Sequence, residues 1–203
     1  RERLIRRKAG LSWVGAIHEA IPVSGKVVTS DIAVCHRKIG PGDPERNLRI
    51  FQKLLREGKE LDPRQQFYYG RELFYHRQYA AAAGVLSRFL DSRKGWIENE
   101  LDACRILSKC HSALGEQEKA LSALLRALSY TSPRPELCCD LGAFFLGKGD
   151  PTTAAFWYEL ALSRPSGEVS GAFSSPDASG YMPCIQLCVC YDRLGDHQKA
   201  WEY

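Results

Sequence analysis

The amino-acid sequence predicts a mainly α fold: a solenoid of helical hairpins preceded by a short β-rich segment. Two observations carry the solenoid. A small residue and an alanine recur twelve positions apart in four places, and turn signals fall between the members of each pair. A third observation carries the β-rich segment, since alternating and β-branched residues around a turn mark the first 44 positions, outside the repeat.

The four pairs are Gly70 with Ala82, Ser108 with Ala120, Gly142 with Ala154, and Cys188 with Ala200. Successive pairs lie 38, 34 and 46 residues apart. The middle spacing is the tetratricopeptide period, and the other two imply insertions of four and twelve residues. Larger apolar residues keep step. Tyr69, Leu107, Leu141 and Leu187 precede the small residue, while Leu73, His111, Phe145 and Tyr191 follow it by three. Leu86, Leu124 and Tyr158 follow the alanine by four. Small residues on facing helices let two backbones approach, and the larger ones fill the space between pairs. Arg77-Gln78, Leu114-Gly115-Glu116, the run Gly147 to Pro151, and Leu194-Gly195-Asp196 are the hairpin turns. Pro133, Pro135 and Pro165 stand where a helix cannot continue.

This divides the chain into a head over residues 1–44, a linking or capping helix within 45–62, and about four repeats over 63–203. In the head, 11–21 and 26–36 read as short strands around Pro22-Val23-Ser24-Gly25. Two or three such strands are too few for a stable domain. Leu48, Phe51, Leu54 and Leu55 stand at helical spacing in the capping helix. Residues 165–180, rich in Gly, Ser and Pro, supply the twelve extra residues of the last spacing and read as a loop insertion. The chain opens on Arg1 without a methionine and the fourth repeat stops in its second helix, so a piece of a longer protein is expected.

Composition narrows the function classes. Of 203 residues, 44% are hydrophobic and 26% charged, a globular balance, and no apolar run approaches the ~18 residues of a membrane span. The net charge of +4 is local: residues 1–50 hold ten Lys/Arg and five Asp/Glu, and the remainder sums to −1. That leaves no sustained phosphate track, so nucleic acid is not an expected partner. The eight cysteines contain no CxxC pair, and seven sit in apolar helical runs as small hydrophobes. Cys184, Cys188 and Cys190 near His197 do not share one helix face, so a zinc site is not expected. The usage fits a reduced, cytoplasmic compartment.

The first helix of each repeat lines the concave side of such a solenoid. Arg64, Phe67, Arg71, Phe74 and Tyr75, then Arg105 and Lys109, are the candidate partner-binding residues. Arginines among aromatics suit an acidic or extended peptide. The alternative for Phe67, Phe74 and Tyr75 is packing on the preceding helix.

Trp13-x-Gly15-x-Ile17-His18-Glu19, preceded by Arg3-Leu4-Ile5-Arg6 and followed by Ser30-Asp31-Ile32 and His36, resembles the end of a bacterial family 2 glycosyltransferase. In that subgroup a GT-A catalytic domain runs directly into tetratricopeptide repeats. Gly42-Asp43-Pro44-x-Arg46-Asn47 and the run from Leu61 to Leu73 look like the same junction. The resemblance implies transfer of a sugar from a nucleotide-sugar donor to an acceptor. It also implies a divalent metal, Mn or Mg, on the donor diphosphate in the full-length parent. No DxD triplet occurs in the chain, so the donor half is expected before Arg1, with this piece inactive and without a cofactor of its own. Carried over residue by residue, His18 is the metal or diphosphate ligand, and Glu19 the acceptor base or the partner orienting His18. Trp13 stacks on a sugar, and Arg6 or Arg7 offsets diphosphate charge. The repeats would bind a peptide or protein acceptor or mediate self-association. The alternative is a non-enzymatic tetratricopeptide scaffold for protein–protein interaction.

Overall fold

A computed structural model describes residues 10–17, 19, 21, 22, 26, 28, 31, 35, 40, 42–164 and 175–203. Among them, nine α-helices follow one another: α1 (Arg46–Arg56), α2 (Pro63–Tyr75), α3 (Tyr79–Ser92), α4 (Ile97–Ala113), α5 (Gln117–Ala127), α6 (Pro135–Gly147), α7 (Pro151–Ser163), α8 (Tyr181–Leu194) and α9 (His197–Glu202). A 3-10 turn, Pro176–Ser179, precedes α8.

Local chemistry starts and stops these helices. Asp62 accepts from the Gln65 backbone N–H at 2.8 Å while the Gln65 side chain accepts from the Asp62 N–H at 3.0 Å, a capping box with Pro63 at the first helical position. Asp150 and Asp196 cap α7 and α9 by accepting from Thr153 and Lys199. All four hairpins close through one turn geometry. The N–H of Gln78, Glu116, Asp150 and Asp196 donates to the carbonyl of Leu73, His111, Phe145 and Tyr191 at 2.9, 2.9, 3.0 and 3.0 Å. This bond requires a left-handed residue one position earlier. Gly115, Gly149 and Gly195 supply it at φ +79, and Arg77 supplies it at φ +57 in the first hairpin.

The twelve-residue offset has a steric cause. Gly70 faces Leu86, and a Cβ built at Gly70 would lie 2.5 Å from Leu86 Cδ2. Gly142 faces Tyr158 in the same way, with a built Cβ 2.7 Å from Cζ. In these two hairpins the small residue of the first helix therefore seats the large residue that follows the alanine of the second helix by four. Ala82, Ala120 and Ala154 are fully buried, as are Leu86 and Leu141. A continuous core runs from α1 through the first two hairpins to α6. Tyr158, Leu187, Cys190 and Tyr191 form a second cluster, joined to it through Phe145. Each fully buried Leu or Phe contributes about 1.5–3 kcal/mol relative to exposure. Ahead of the repeats, α1 buries Leu48 and Phe51 against α2, with the Phe51 and Tyr69 rings 5.3 Å apart.

The β-rich head is not supported, and most of the second expected strand, 26–36, lies outside the described residues. Among the described residues no strand forms, and Val14 makes only an isolated bridge. Trp13, Val14 and Val28 are exposed, so the alternating pattern has no sheet face to cover there. A short ribbon is marginal without further strands, and burial is achieved instead by Ile17 and Ile21. These two line a recess with Asp62, Arg64, Gln65 and Tyr68 at the start of α2.

Candidate partner-binding face

First helices pack on first helices, α2 against α4 and α6 against α8, whereas no comparable pair of second helices does so among the described residues. The first helices therefore form the inner wall. Counting from the anchoring small residue, positions six and three before it and one after it recur on that wall. They are Arg64, Phe67 and Arg71 on α2; Asp102, Arg105 and Lys109 on α4; Glu136, Cys139 and Ala143 on α6; Met182, Ile185 and Val189 on α8.

On α2 the expected surface residues divide. Phe67 is fully buried, 5.8 Å from the Phe89 ring, so it belongs to the core rather than the binding face. The cause is the hairpin interface, which draws this position inward beneath Arg71. The Arg71 guanidinium lies 5.6 Å from the ring centres of Phe67, Tyr68 and Tyr75 and donates to the Tyr75 hydroxyl at 3.3 Å. Arg64 lies 5.7 Å from the Tyr68 ring. Phe74 is half-buried against Tyr79, and Tyr75 is exposed.

On α4 the cations meet carboxylates that the sequence reading missed. Arg105 is bonded to Asp140 of α6. Arg134 makes a bidentate pair with buried Glu98, at 2.6 and 2.8 Å, tying the start of α6 to the start of α4. Burial raises the Asp102 carboxyl above the usual Asp range, although Arg105, Arg71 and Lys109 all pull it down. Glu98, Asp102, Arg105, Arg134 and Glu136 line a small cleft of about 30 Å³ between α4 and α6. Lys109 is exposed beside it. The inner face is thus a lattice of alternating charge rather than a purely basic track. The 34-residue offset was the available signal, because it equates Asp102 with Glu136 and Arg105 with Cys139.

On α8 the wall turns apolar. Met182, Ile185 and Val189 lie on one helical face and are 46%, 39% and 36% exposed. Two thiols stand nearby, buried Cys138 and half-buried Cys139: desolvation pushes Cys139 up to about 12 and Cys138 up to about 11, which keeps both protonated. No three metal-ligating side chains come together among the described residues.

Of the head residues, Trp13 is 65% exposed and Glu19 is exposed. His18, Arg6 and Arg7 lie outside the described residues, as does 165–174 of the insertion.

No protein-family model matches the chain, and no curated protein matches it. Solved structures do. A crystal structure of MamA superposes with a TM-score of 0.59 at 17% identity, covering 82% of this chain and 92% of that one. MamA 41-end from Desulfovibrio magneticus RS-1 gives 0.60 at 20% identity over 79% and 81% of the two chains. BtubC from P. vanneervenii gives 0.62 at 21% identity over 79% and 70%. A putative kinesin light chain of nearly identical TPR-like repeats from Podosopora anserina gives 0.56 at 16% identity over 78% and 80%. None of these four lends support to a fused glycosyltransferase domain. The likeness shows the fold: this chain is a tetratricopeptide-like helical-repeat protein.

Proposed function

We propose that the chain is a protein-interaction scaffold whose inner wall of first helices binds an extended partner peptide. The observation that carries this reading is the exposed Met182, Ile185 and Val189 row on α8, continuing the inner wall beyond the charged lattice of α4 and α6. Single exposed apolar residues are ordinary, but three at one helical face form a strip that side chains of a partner can cover. Lys109 and Tyr75 on the same wall add a cation and an aromatic ring toward acidic or aromatic side chains.

A peptide library selected against the purified chain tests this. Selected peptides should lose about tenfold or more in affinity on Val189→Glu and Lys109→Glu, and keep it on Phe156→Ser, which alters exposed α7. Equal binding to all three variants would remove the inner wall from the site.

The sequence resemblance at Trp13, His18 and Glu19 motivates a second proposal, the end of a nucleotide-sugar-dependent transferase with His18 on its metal. The described residues supply no metal centre of their own. In the longer protein this reading requires metal-dependent sugar release that falls sharply on His18→Ala. Unchanged turnover would withdraw it.

A further inference from the structure

The last residues of the 165–180 insertion do not project from the solenoid. Ser175–Gly180 runs back over the third repeat and packs on α6, α7 and α8. The Ser175 backbone N–H donates to Glu136 Oε1 at 2.8 Å, and Cys139 Sγ donates to the Ala178 carbonyl at 3.3 Å. Ala178 is buried, and the 3-10 turn with Pro176 at its start stiffens the segment. Glu136 and Cys139 are the inner-wall positions of α6, the counterparts of Asp102 and Arg105 one repeat earlier. The chain's own backbone therefore sits where a peptide following the wall from α4 to α8 has to pass. It uses the contacts such a peptide would use: a main-chain donor to a carboxylate, a main-chain acceptor from a side chain, and a small residue seated between helices.

We propose that Ser175–Gly180 is an intramolecular ligand that closes the third-repeat section of the inner wall, and that a partner peptide must displace it to reach the apolar strip on α8. This rests on the inner wall being the binding face. Two hydrogen bonds and one buried methyl are a weak hold, so the strap opens by local fluctuation while the hairpins stay folded. A competing segment tethered in this way lowers the apparent affinity of a partner by the fraction of time the section is open.

Cys139 reports the closure without any partner. Iodoacetamide labelling is followed peptide by peptide in mass spectrometry for the whole chain, Ala178→Asp, and a variant with glycines replacing Pro176–Ser179. Both changes lie on the strap, not on the wall. Cys139 should label about tenfold faster in both, the ratio expected when contacts of this size are lost, while fully buried Cys104 stays protected. If Cys104 accelerates equally in Ala178→Asp, that variant has unfolded and the glycine variant decides. Unchanged Cys139 labelling in the glycine variant overturns the proposal. Library peptides selected on the glycine variant should bind it about tenfold more tightly than the unaltered chain. Equal affinities overturn the regulatory role. Cys139 acceleration with no peptide binding to either form would sink the binding face, and the regulatory role with it. Tight peptide binding with unchanged labelling would sink the strap and leave the binding face standing.

Discussion

Gly70→Ala, made alone and in combination with Leu86→Ala, perturbs the close approach that builds the first hairpin. Two terms oppose each other in the single variant. Alanine is favoured over glycine inside a helix by about 1 kcal/mol. Against that, the new methyl would stand 2.5 Å from Leu86 Cδ2 and 2.7 Å from Cγ. Cγ is the branch point of a fully buried side chain, so rotating one methyl does not relieve the clash. Overpacking of this kind costs about 1–3 kcal/mol, which leaves Gly70→Ala destabilised by about 0–2 kcal/mol. Leu86→Ala alone costs about 2–5 kcal/mol through lost burial and the cavity left behind. In the double variant the clash is gone and the helix preference remains. The double variant should therefore be more stable than Leu86→Ala by about 1 kcal/mol. The sign of the Gly70→Ala effect reverses between the two backgrounds, with a coupling of about 1–3 kcal/mol. Urea unfolding of the four proteins measures it. A Gly70→Ala effect equal in both backgrounds to within about 0.5 kcal/mol would refute the steric account of the twelve-residue offset.

Arg77→Gly should raise stability by about 0.5–1 kcal/mol, because Arg77 holds a left-handed conformation that glycine adopts without the steric cost; urea midpoints check it. Arg134→Ala should lower stability by about 2 kcal/mol by leaving buried Glu98 without its bidentate partner, a fall of about 4–8 °C in Tm by calorimetry. The folded pKa of Asp102 is raised above its ordinary value of 3.8, so the folded chain holds the proton more tightly than the unfolded chain. Stability from this group accordingly falls as pH rises from the unfolded through the folded pKa. Asp102→Asn should then be more stable than the unaltered chain at neutral pH, with the advantage vanishing below the unfolded Asp range. An advantage independent of pH in urea titrations would contradict the burial assignment.

The hairpins were legible because their cause is local in sequence. A glycine opposite a large residue, an aspartate or proline at a helix start and a glycine after a helix end impose shape through nearby backbone atoms. The binding face was less legible. Helical position placed Phe67 on the inner wall with Arg71, but the depth to which each is drawn depends on α3, through Phe89. Likewise Arg105 and Arg134 announce positive charge, whereas Asp140 and Glu98 reach them from 35 and 36 residues away. The head misled for the converse reason: β-branched alternation is a preference that becomes a strand only beside other strands.

The amino-acid sequence by itself determined the repeat, its period, the turns and the seats of the small residues, since each rests on contacts inside one hairpin. Only the tertiary structure decided which inner-wall charges are already paired, that Phe67 is core, and that Ser175–Gly180 lies on Glu136 and Cys139. Those outcomes depend on how one hairpin is stacked on the next, and stacking brings together groups whose separation along the chain carries no local signal.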